Sequence, residues 1–250
     1  MKLISFEADK KILNGVLING EISVLSSSIF EKLSFSGEKY ELDTVKILPP
    51  CNPTKIVCIG LNYMDHIEES GVAIPTSPVV FMKPPSAVNG HLNDIIYPEM
   101  SRRVDYEGEL AVVMGKATKN ISQKEAKNSI LGYTCGNDVT ARDLQPSDGQ
   151  WIIAKGFDSF LPLGPWIETE ADPSNLSIKT YLNGELKQNS NTKNLIFDVY
   201  TLVSYISKIM TLNPGDVIMT GTPYGISPMK KGDVVTIEIG GIGKLINNVK

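Results

Sequence analysis

Apolar and polar positions along this chain alternate in short runs, and helical periodicity is rare. Strand-like runs recur at close intervals after residue 54: KIVCIG, SPVVFMK, GELAVVMG, ILGYTCGND, SIKTYLNGELK, GDVIMTG and GDVVTIEIG. Runs of this length, bounded by turn residues, are typical of β-strands. Asn183-Gly184 marks a tight hairpin, and Pro214-Gly215 marks a turn. The pattern predicts many short strands.

The first fifty residues are set apart from the rest by the stretch ILPPCNPTK, whose three prolines interrupt any regular element. Before it, short apolar stretches are broken by Asn14-Gly15 and Asn19-Gly20, and both pairs are favoured in hairpin turns. We therefore predict a small N-terminal β domain over residues 1–50 and a larger domain over residues 51–250.

Two helices are predicted. Ser122 and Glu125 form a capping box ahead of AKNSI. In DVYTLVSYISKIM the apolar residues fall at helical spacing, namely Val199, Leu202, Val203, Ile206 and Ile209. Many short strands with few helices indicate a β-rich α+β fold built on rolled or sandwiched sheets, with a small N-terminal β appendage.

Composition narrows the possible partners and the compartment. Of the 250 residues, 42% are hydrophobic and the net charge is −4 without a basic run, which argues against a nucleic-acid partner. Cys51, Cys58 and Cys135 form no CxxC pair and are expected to be buried thiols in a reducing compartment. The N-terminus MKLISFEADK lacks the apolar stretch of a signal peptide, and no run reaches membrane-spanning length. We expect a cytoplasmic protein without a membrane partner.

The stretch VDYEGELAVVMG places Asp105, Glu107 and Glu109 at the opening of an apolar strand. Residues two apart share one face of a strand, so these charges would repel unless a cation lies between them. A later strand ends at Asp138, where functional side chains are common. Glu107, Glu109 and Asp138 together offer the hard oxygen ligands that suit Mg²⁺ or Mn²⁺. The alternative is a solvated acidic edge of the sheet.

His66 and Glu69 lie in GLNYMDHIEESG, directly after the strand KIVCIG. One helical turn would bring them to the same face, and a carboxylate paired to an imidazole makes a competent general base. The alternative is a surface histidine with an incidental acidic neighbour. The other histidine, His91, is expected to be structural.

Lys155 stands among apolar and aromatic residues in WIIAKGFDSFLPLGPW. It is either a surface lysine that extends to water or a cation placed for an anionic substrate. The stretch VIMTGTPYG runs from a strand into small residues that let a ligand approach the backbone, or it forms an ordinary turn.

From about Ile56 to Val249 the chain resembles the fumarylacetoacetate hydrolase family. The resemblance rests on several motifs in one order: GLNYMDHIEE, FMKPPSAVNG, VDYEGELAVVMG, GYTCGNDVTARDLQ, AKGFDSFLPLGPW, LNGEL, PGDVIMTGTPYG and KKGDVVTIEI. It implies a β-roll fold, a catalytic domain over residues 51–250 and a homodimer. The N-terminal part fits the small extra domain that many bacterial members carry.

The resemblance also implies roles for individual residues. Mg²⁺, Mn²⁺ or sometimes Ca²⁺ would be held by Glu107, Glu109 and Asp138. The acid/base pair would be His66 and Glu69, on a segment that closes over bound ligand. The substrate pocket would be lined by Lys155, Gln145 and Thr222, and Lys155 would also be catalytic, since it stabilises the enolate together with the metal.

The substrate implied by the resemblance is a small 2-oxo acid or a 2-hydroxydienedioate that reacts through a metal-chelated enolate. C–C hydrolysis, decarboxylation and isomerisation all start from this enolate. Leu61 stands where the acylpyruvase and oxaloacetate decarboxylase branch has arginine, which weakens the case for the substrates of that branch. FDSFLPLGPW is more similar to bacterial dienedioate isomerases. The rival interpretation is a non-catalytic family member that binds a metal and a dicarboxylate.

Overall fold

The computed structural model describes residues 1–71, 73–147 and 149–250, apart from the side chains of His66, Glu69 and Ser70. Strands dominate these residues and helices are short, which confirms the predicted β-rich α+β fold. The strands are β1 (Lys2–Ala8), β2 (Lys11–Ile18), β3 (Glu21–Leu25), β4 (Phe35–Glu41), β5 (Lys46–Ile47), β6 (Ile56–Gly60), β7 (Val79–Lys83), β8 (Val88–Asn89), β9 (Asp94–Ile95), β10 (Val104–Asp105), β11 (Gly108–Met114), β12 (Ile130–Asn137), β13 (Thr140–Ala141), β14 (Leu161–Glu168), β15 (Ser177–Leu182), β16 (Glu185–Asn191), β17 (Val217–Met219), β18 (Pro228–Met229), β19 (Val234–Ile239) and β20 (Gly243–Val249). The helices are α1 (Met64–Ser70), α2 (Gln123–Ala126), α3 (Ile152–Lys155) and α4 (Val199–Ile209), with 3₁₀ turns at Leu42–Thr44, Pro85–Ala87, Lys127–Ser129, Arg142–Leu144 and Thr192–Asn194.

Three sheets organise the described residues. A twelve-stranded sheet runs in the order β4-β3-β2-β1-β14-β12-β11-β17-β6-β7, with β5 paired to β1 and β8 paired to β14. A five-stranded sheet has the order β16-β15-β19-β20-β9, and β13-β10-β18 form the third. Strand β11 lies between β12 and β17 and is buried along its whole length. Burial on both faces explains why this strand is an almost unbroken apolar run instead of an alternating one.

The main core lies between the large sheet, the five-stranded sheet and α4. One cluster joins Leu110 and Val112 of β11 to Ile178 of β15, Ile237 of β19 and Leu202 of α4. The Asn183-Gly184 hairpin between β15 and β16 is confirmed, since both residues have positive φ angles of 52° and 81°. This is the geometry that a two-residue turn of the I′ type requires.

The N-terminal strands continue the large sheet. Strand β1 pairs antiparallel with β14, with Lys2 opposite Glu168. Asn19-Gly20 forms the predicted turn between β2 and β3, with φ angles of 51° and 90°. The prediction of a turn at Asn14-Gly15 is wrong, because both residues lie inside β2. A Cβ on Gly15 would come within 2.3 Å of Ile22 Cγ2, so the glycine serves the close packing of β2 and β3.

Both predicted helices are present. The capping box of Ser122 and Glu125 begins α2, which is only four residues long. Helix α4 is capped by Asp198, whose side chain accepts the Thr201 N–H, and it buries the predicted apolar face except at Ile209, which is 55% exposed. The three cysteines are buried free thiols, as expected. Among the described residues, no helix combines the length and the apolar character needed to span a bilayer.

Candidate metal centre and catalytic pocket

In the acidic stretch at residues 105–109, the chain passes from one β-sheet to another. Asp105 ends β10 in the three-stranded sheet, whereas Glu109 lies in β11 of the large sheet. Glu107 stands between the two strands, where its N–H donates to Asn137 Oδ1 at 2.9 Å. The expectation that all three carboxylates share one strand face is therefore wrong, because no single strand contains them.

Glu107 and Glu109 instead meet Asp138, which follows β12 directly. Strand β12 pairs with β11, and the Asp138 N–H donates to the Glu107 carbonyl at 2.9 Å. One carboxylate oxygen from each of the three residues lies within 4.8 Å of the others. All three side chains are buried, with at most 6% of any residue exposed. A solvated acidic edge is excluded.

Three cations surround this acidic triad. Lys155 Nζ lies 2.9 Å from Glu107 Oε2 and 2.6 Å from Asp138 Oδ2. Lys83 Nζ, at the end of β7, lies 2.6 Å from Asp138 Oδ1. Arg142 donates through Nη2 to Glu107 Oε1. Lys155 is 2% exposed, so the alternative of a surface lysine that extends to water is wrong. Its role toward an anionic substrate stays a prediction.

The cations leave the triad unevenly compensated. Burial alone raises the pKa of Glu107, but Lys155 and Arg142 outweigh it and hold this pKa at about 2. The pKa of Glu109 is raised well above its usual value, by burial and by the charges of Asp138 and Glu107. Burial lowers the pKa of Lys155, but its two carboxylate partners raise it further than burial lowers it.

This donor set fits a hard divalent cation. Three buried carboxylates without nitrogen or sulfur match the preference of Mg²⁺ and Mn²⁺ for oxygen. Because burial and two neighbouring carboxylates raise the pKa of Glu109, a cation bound beside this residue would favour its ionised form.

A cavity of about 210 Å³ opens next to the triad. The predicted site residues Lys155, Gln145 and Thr222 all line it. Its remaining wall is formed by Ile59, Gly60, Leu61, Phe81, Arg142 and Trp151. The cavity therefore has a charged floor and a largely apolar side.

Arg142 and Gln188 orient two of the polar groups in this pocket. Gln145 Oε1 accepts from Arg142 Nη1 at 2.5 Å, which leaves the amide nitrogen as the donor end of Gln145. Thr222 Oγ1 donates to the Gly108 carbonyl at 3.0 Å and accepts from Gln188 Nε2 at 2.9 Å. Sequence reasoning gave no role to Arg142, Gln188 or Lys83. The signal for Lys83 was a charged residue at the end of the apolar run SPVVFMK.

His66 and Glu69 belong to α1, four and seven residues beyond Asn62, but their side chains lie outside the described residues. Their acid/base role stays a prediction. Asn62 anchors the start of this segment: Nδ2 donates to the carbonyls of Thr220 and Phe197, and Oδ1 accepts the Phe197 N–H. His91 lies away from the cavity, accepts the Ile246 N–H through Nδ1, and has its pKa lowered by burial.

Comparison with known proteins identifies the family of this chain. The family model described as fumarylacetoacetate (FAA) hydrolase C-terminal matches residues 55–250. The chain belongs to the fumarylacetoacetate hydrolase family. A second model, described as Rv2993c-like, N-terminal, matches residues 1–50.

Several family members are similar over most or all of the chain. A crystal structure of 5-carboxymethyl-2-hydroxymuconate delta-isomerase from Mycobacterium smegmatis is 41% identical, covers 100% of this chain and 99% of that one, and has a TM-score of 0.94. The mitochondrial oxaloacetate tautomerase of Xenopus laevis is 45% identical over 81% of this chain and 67% of its own. Maleylpyruvate hydrolase from Sphingobium sp. SYK-6, crystallised with manganese(II) and pyruvate, is 28% identical with a TM-score of 0.83, over 100% of this chain and 98% of that one.

Proposed function

We propose that this protein is a divalent-metal-dependent enzyme that moves a proton within a small 2-oxo or 2-hydroxydienoic acid, and so acts as a tautomerase or isomerase. The observation that carries the proposal is the buried triad of Glu107, Glu109 and Asp138, which lines a cavity of about 210 Å³. Lys155, Lys83 and Arg142 pair with Glu107 and Asp138. The pKa of Glu109 nevertheless stays raised, so a divalent cation is the charge that would complete the site.

Mg²⁺ or Mn²⁺ is the metal that we propose for the triad. When bound, such an ion supplies Lewis-acid polarisation of a carbonyl oxygen. The manganese and pyruvate in the Sphingobium maleylpyruvate hydrolase structure support this assignment, since that protein has the same overall fold.

The side chains around the cavity supply the remaining chemistry. The Lys155 ammonium lies at the border between the triad and the cavity, where it stabilises negative charge on a substrate oxygen. The amide nitrogen of Gln145 is a donor for a carboxylate of the substrate. Thr222 lines the cavity, and its hydroxyl proton is donated to the Gly108 carbonyl. We assign the removal and return of the proton to His66 with Glu69, because α1 begins beside the cavity residue Leu61.

Proton transfer is favoured over the two other outcomes by the similar proteins. The isomerase and the tautomerase, at 41% and 45% identity, both have names that describe proton movement without loss of carbon. The maleylpyruvate hydrolase is 28% identical, so C–C hydrolysis is the second candidate.

An activity screen tests the proposal. Purified protein with Mn²⁺ is given the enol of oxaloacetate, a 2-hydroxydienedioate and an acylpyruvate. The ultraviolet absorbance reports the loss of the enol or diene, and chromatography reports any released pyruvate or CO₂. We expect absorbance changes without carbon loss, and a decrease of at least about tenfold in kcat/KM for Glu107→Gln, or about 1.4 kcal/mol.

The matched control is Glu170→Gln, which removes an exposed carboxylate of the same type that does not line the cavity. It should leave kcat/KM unchanged. Stoichiometric release of pyruvate from the acylpyruvate would show that the reaction is C–C hydrolysis and not proton transfer. Binding of Mn²⁺ and a dicarboxylate without turnover of any compound would favour the non-catalytic alternative.

A further inference from the structure

Asp105 is a fully buried carboxylate that lies just outside the triad. It accepts hydrogen bonds from Arg103 through Nε at 3.0 Å and Nη2 at 3.2 Å, and from Arg142 Nε at 2.8 Å. It does not line the cavity and does not belong to the acidic triad. A carboxylate with no exposed surface is costly unless it is paired, so these two guanidinium groups are what keep it in place.

Arg142 uses a different nitrogen for each of three partners. Nε donates to Asp105, Nη1 donates to Gln145 at 2.5 Å, and Nη2 donates to Glu107 Oε1. A guanidinium group is planar and rigid, so fixing its Nε side also fixes the direction of both Nη groups. The contact with Asp105 therefore determines how Arg142 meets a residue of the triad and a residue of the pocket.

We propose that Asp105 is a positioning residue for the metal site: it holds and neutralises Arg142, so that this arginine restrains Glu107 and Gln145 without taking the place of the cation. The inference rests on the proposed metal site. Asp105 would act through Arg142, since it neither lines the cavity nor belongs to the triad.

The loss of Asp105 would weaken metal binding in two ways. A released Arg142 is free to turn both Nη groups toward Glu107 and form a bidentate pair, which competes with a cation for the same carboxylate. The loss of the Asp105 charge would also leave the surroundings of Arg142 more positive, which disfavours a divalent cation at short range. Both effects weaken metal binding, so the direction of the expected change is unambiguous.

Mn²⁺ affinity measured by titration calorimetry tests this role. Asp105→Asn keeps the shape and one acceptor but loses the charge, and Asp105→Ala loses both. We expect both variants to bind Mn²⁺ at least tenfold more weakly than the unchanged protein, which corresponds to about 1.4 kcal/mol. Arg103→Gln removes the outer partner of Asp105 and is expected to change the affinity by less than threefold.

A double-mutant cycle with Arg142→Met separates positioning from a general structural effect. If Asp105 acts through Arg142, Asp105→Asn changes the affinity of the Arg142→Met protein by less than about twofold. A structural role would weaken binding equally in both backgrounds and would overturn the inference.

The remaining outcomes are also decisive. If the unchanged protein does not bind Mn²⁺, the proposed metal site fails, and this inference fails with it. If the unchanged protein binds Mn²⁺, and the folded Asp105→Asn protein binds Mn²⁺ with the same affinity, only the role of Asp105 is overturned. Should Asp105→Ala not fold, the isosteric Asp105→Asn protein still gives the answer.

Discussion

Glu109 is the residue of the triad with the least electrostatic support. It is 1% exposed, and its Oε2 accepts the Gly221 N–H at 2.8 Å. Lys155 forms its ion pairs with the other two members of the triad. Burial and the neighbouring carboxylates therefore raise the pKa of Glu109 well above its usual value.

This raised pKa predicts how the stability of the metal-free protein depends on pH. The pKa of Glu109 is higher in the folded state than its ordinary value of 4.5, so protonation of this carboxyl favours the folded state. This contribution to the free energy of unfolding is complete below a pH of about 4.5 and is lost as the pH rises through the folded-state pKa. Each unit by which the pKa is raised costs about 1.4 kcal/mol at high pH. We expect Glu109→Gln to be more stable than the unchanged protein at pH 8 in EDTA, with a difference that shrinks toward pH 4.5.

Chemical denaturation at several pH values measures this difference. Excess Mn²⁺ at pH 8 should reverse the order, because the ion stabilises only the protein that keeps its third carboxylate. A difference independent of pH would contradict the account of Glu109.

At the scale of elements, the turn after β17 connects the metal site to the start of α1. Gly221 has a φ angle of 98°, and a Cβ there would lie 2.9 Å from Asn62 Cβ and 3.1 Å from the Ile59 carbonyl. The same glycine donates its N–H to Glu109. The close approach of β6, α1 and the turn therefore requires glycine here and sets the position of a triad member.

Gly221→Ala should consequently damage both stability and metal binding. We expect a loss of about 1–3 kcal/mol from the positive φ angle, with a further loss from the contact with Asn62. Mn²⁺ affinity should decrease about tenfold, or about 1.4 kcal/mol, as the N–H moves away from Glu109. The measurements are urea denaturation and calorimetric titration.

Gly232→Ala is the matched control. Gly232 has a similar φ angle of 94°, but nothing lies within 4 Å of the Cβ that it lacks. This variant should be destabilised by the positive φ angle, which alanine adopts with strain, but it should keep its Mn²⁺ affinity. Equal affinity losses in both variants would show that the turn has no specific role.

At the scale of the whole molecule, the N-terminal strands share a core with the rest of the chain. Leu3 and Val16 belong to the same buried cluster as Ile56, Cys58 and Val113. Strand β1 also pairs directly with β14. Residues 1–50 match a family model of their own, yet these contacts predict that they unfold together with the large domain.

Leu3→Ala tests this coupling. We expect a loss of about 2–5 kcal/mol and a single cooperative transition in differential scanning calorimetry, because the cavity is created in a shared core. Ile12→Ala, at a position that is 76% exposed, should change the stability by less than about 0.5 kcal/mol. Two separate transitions in the Leu3→Ala protein would mean that residues 1–50 unfold by themselves.

Much of the fold and part of the site were predictable from local sequence. Strand β11, helix α4 and the Asn183-Gly184 hairpin follow from periodicity and turn chemistry, which depend on neighbouring residues only. The carboxylates and Lys155 were recognised because charged residues at the ends of apolar runs stand out. The structure brings Glu107, Glu109, Asp138, Lys155, Gln145 and Thr222 to one place.

The amino-acid sequence by itself thus determined many of the strands, such as β6, β11 and β19, and which residues carry acidic and basic groups. Strands β14 and β20 were not among the predicted runs. Only the tertiary structure decided that Asp105 lies apart from Glu107 and Glu109 and pairs with two arginines. The reason is that its strand pairs with β13 and β18 instead of continuing into β11. Lys83 reaches Asp138 from 55 residues away, and Asn14-Gly15 lies within a strand because β3 packs against it. Strand periodicity is a local property, whereas sheet partners and ion pairs depend on segments that are distant in the chain and meet only on folding.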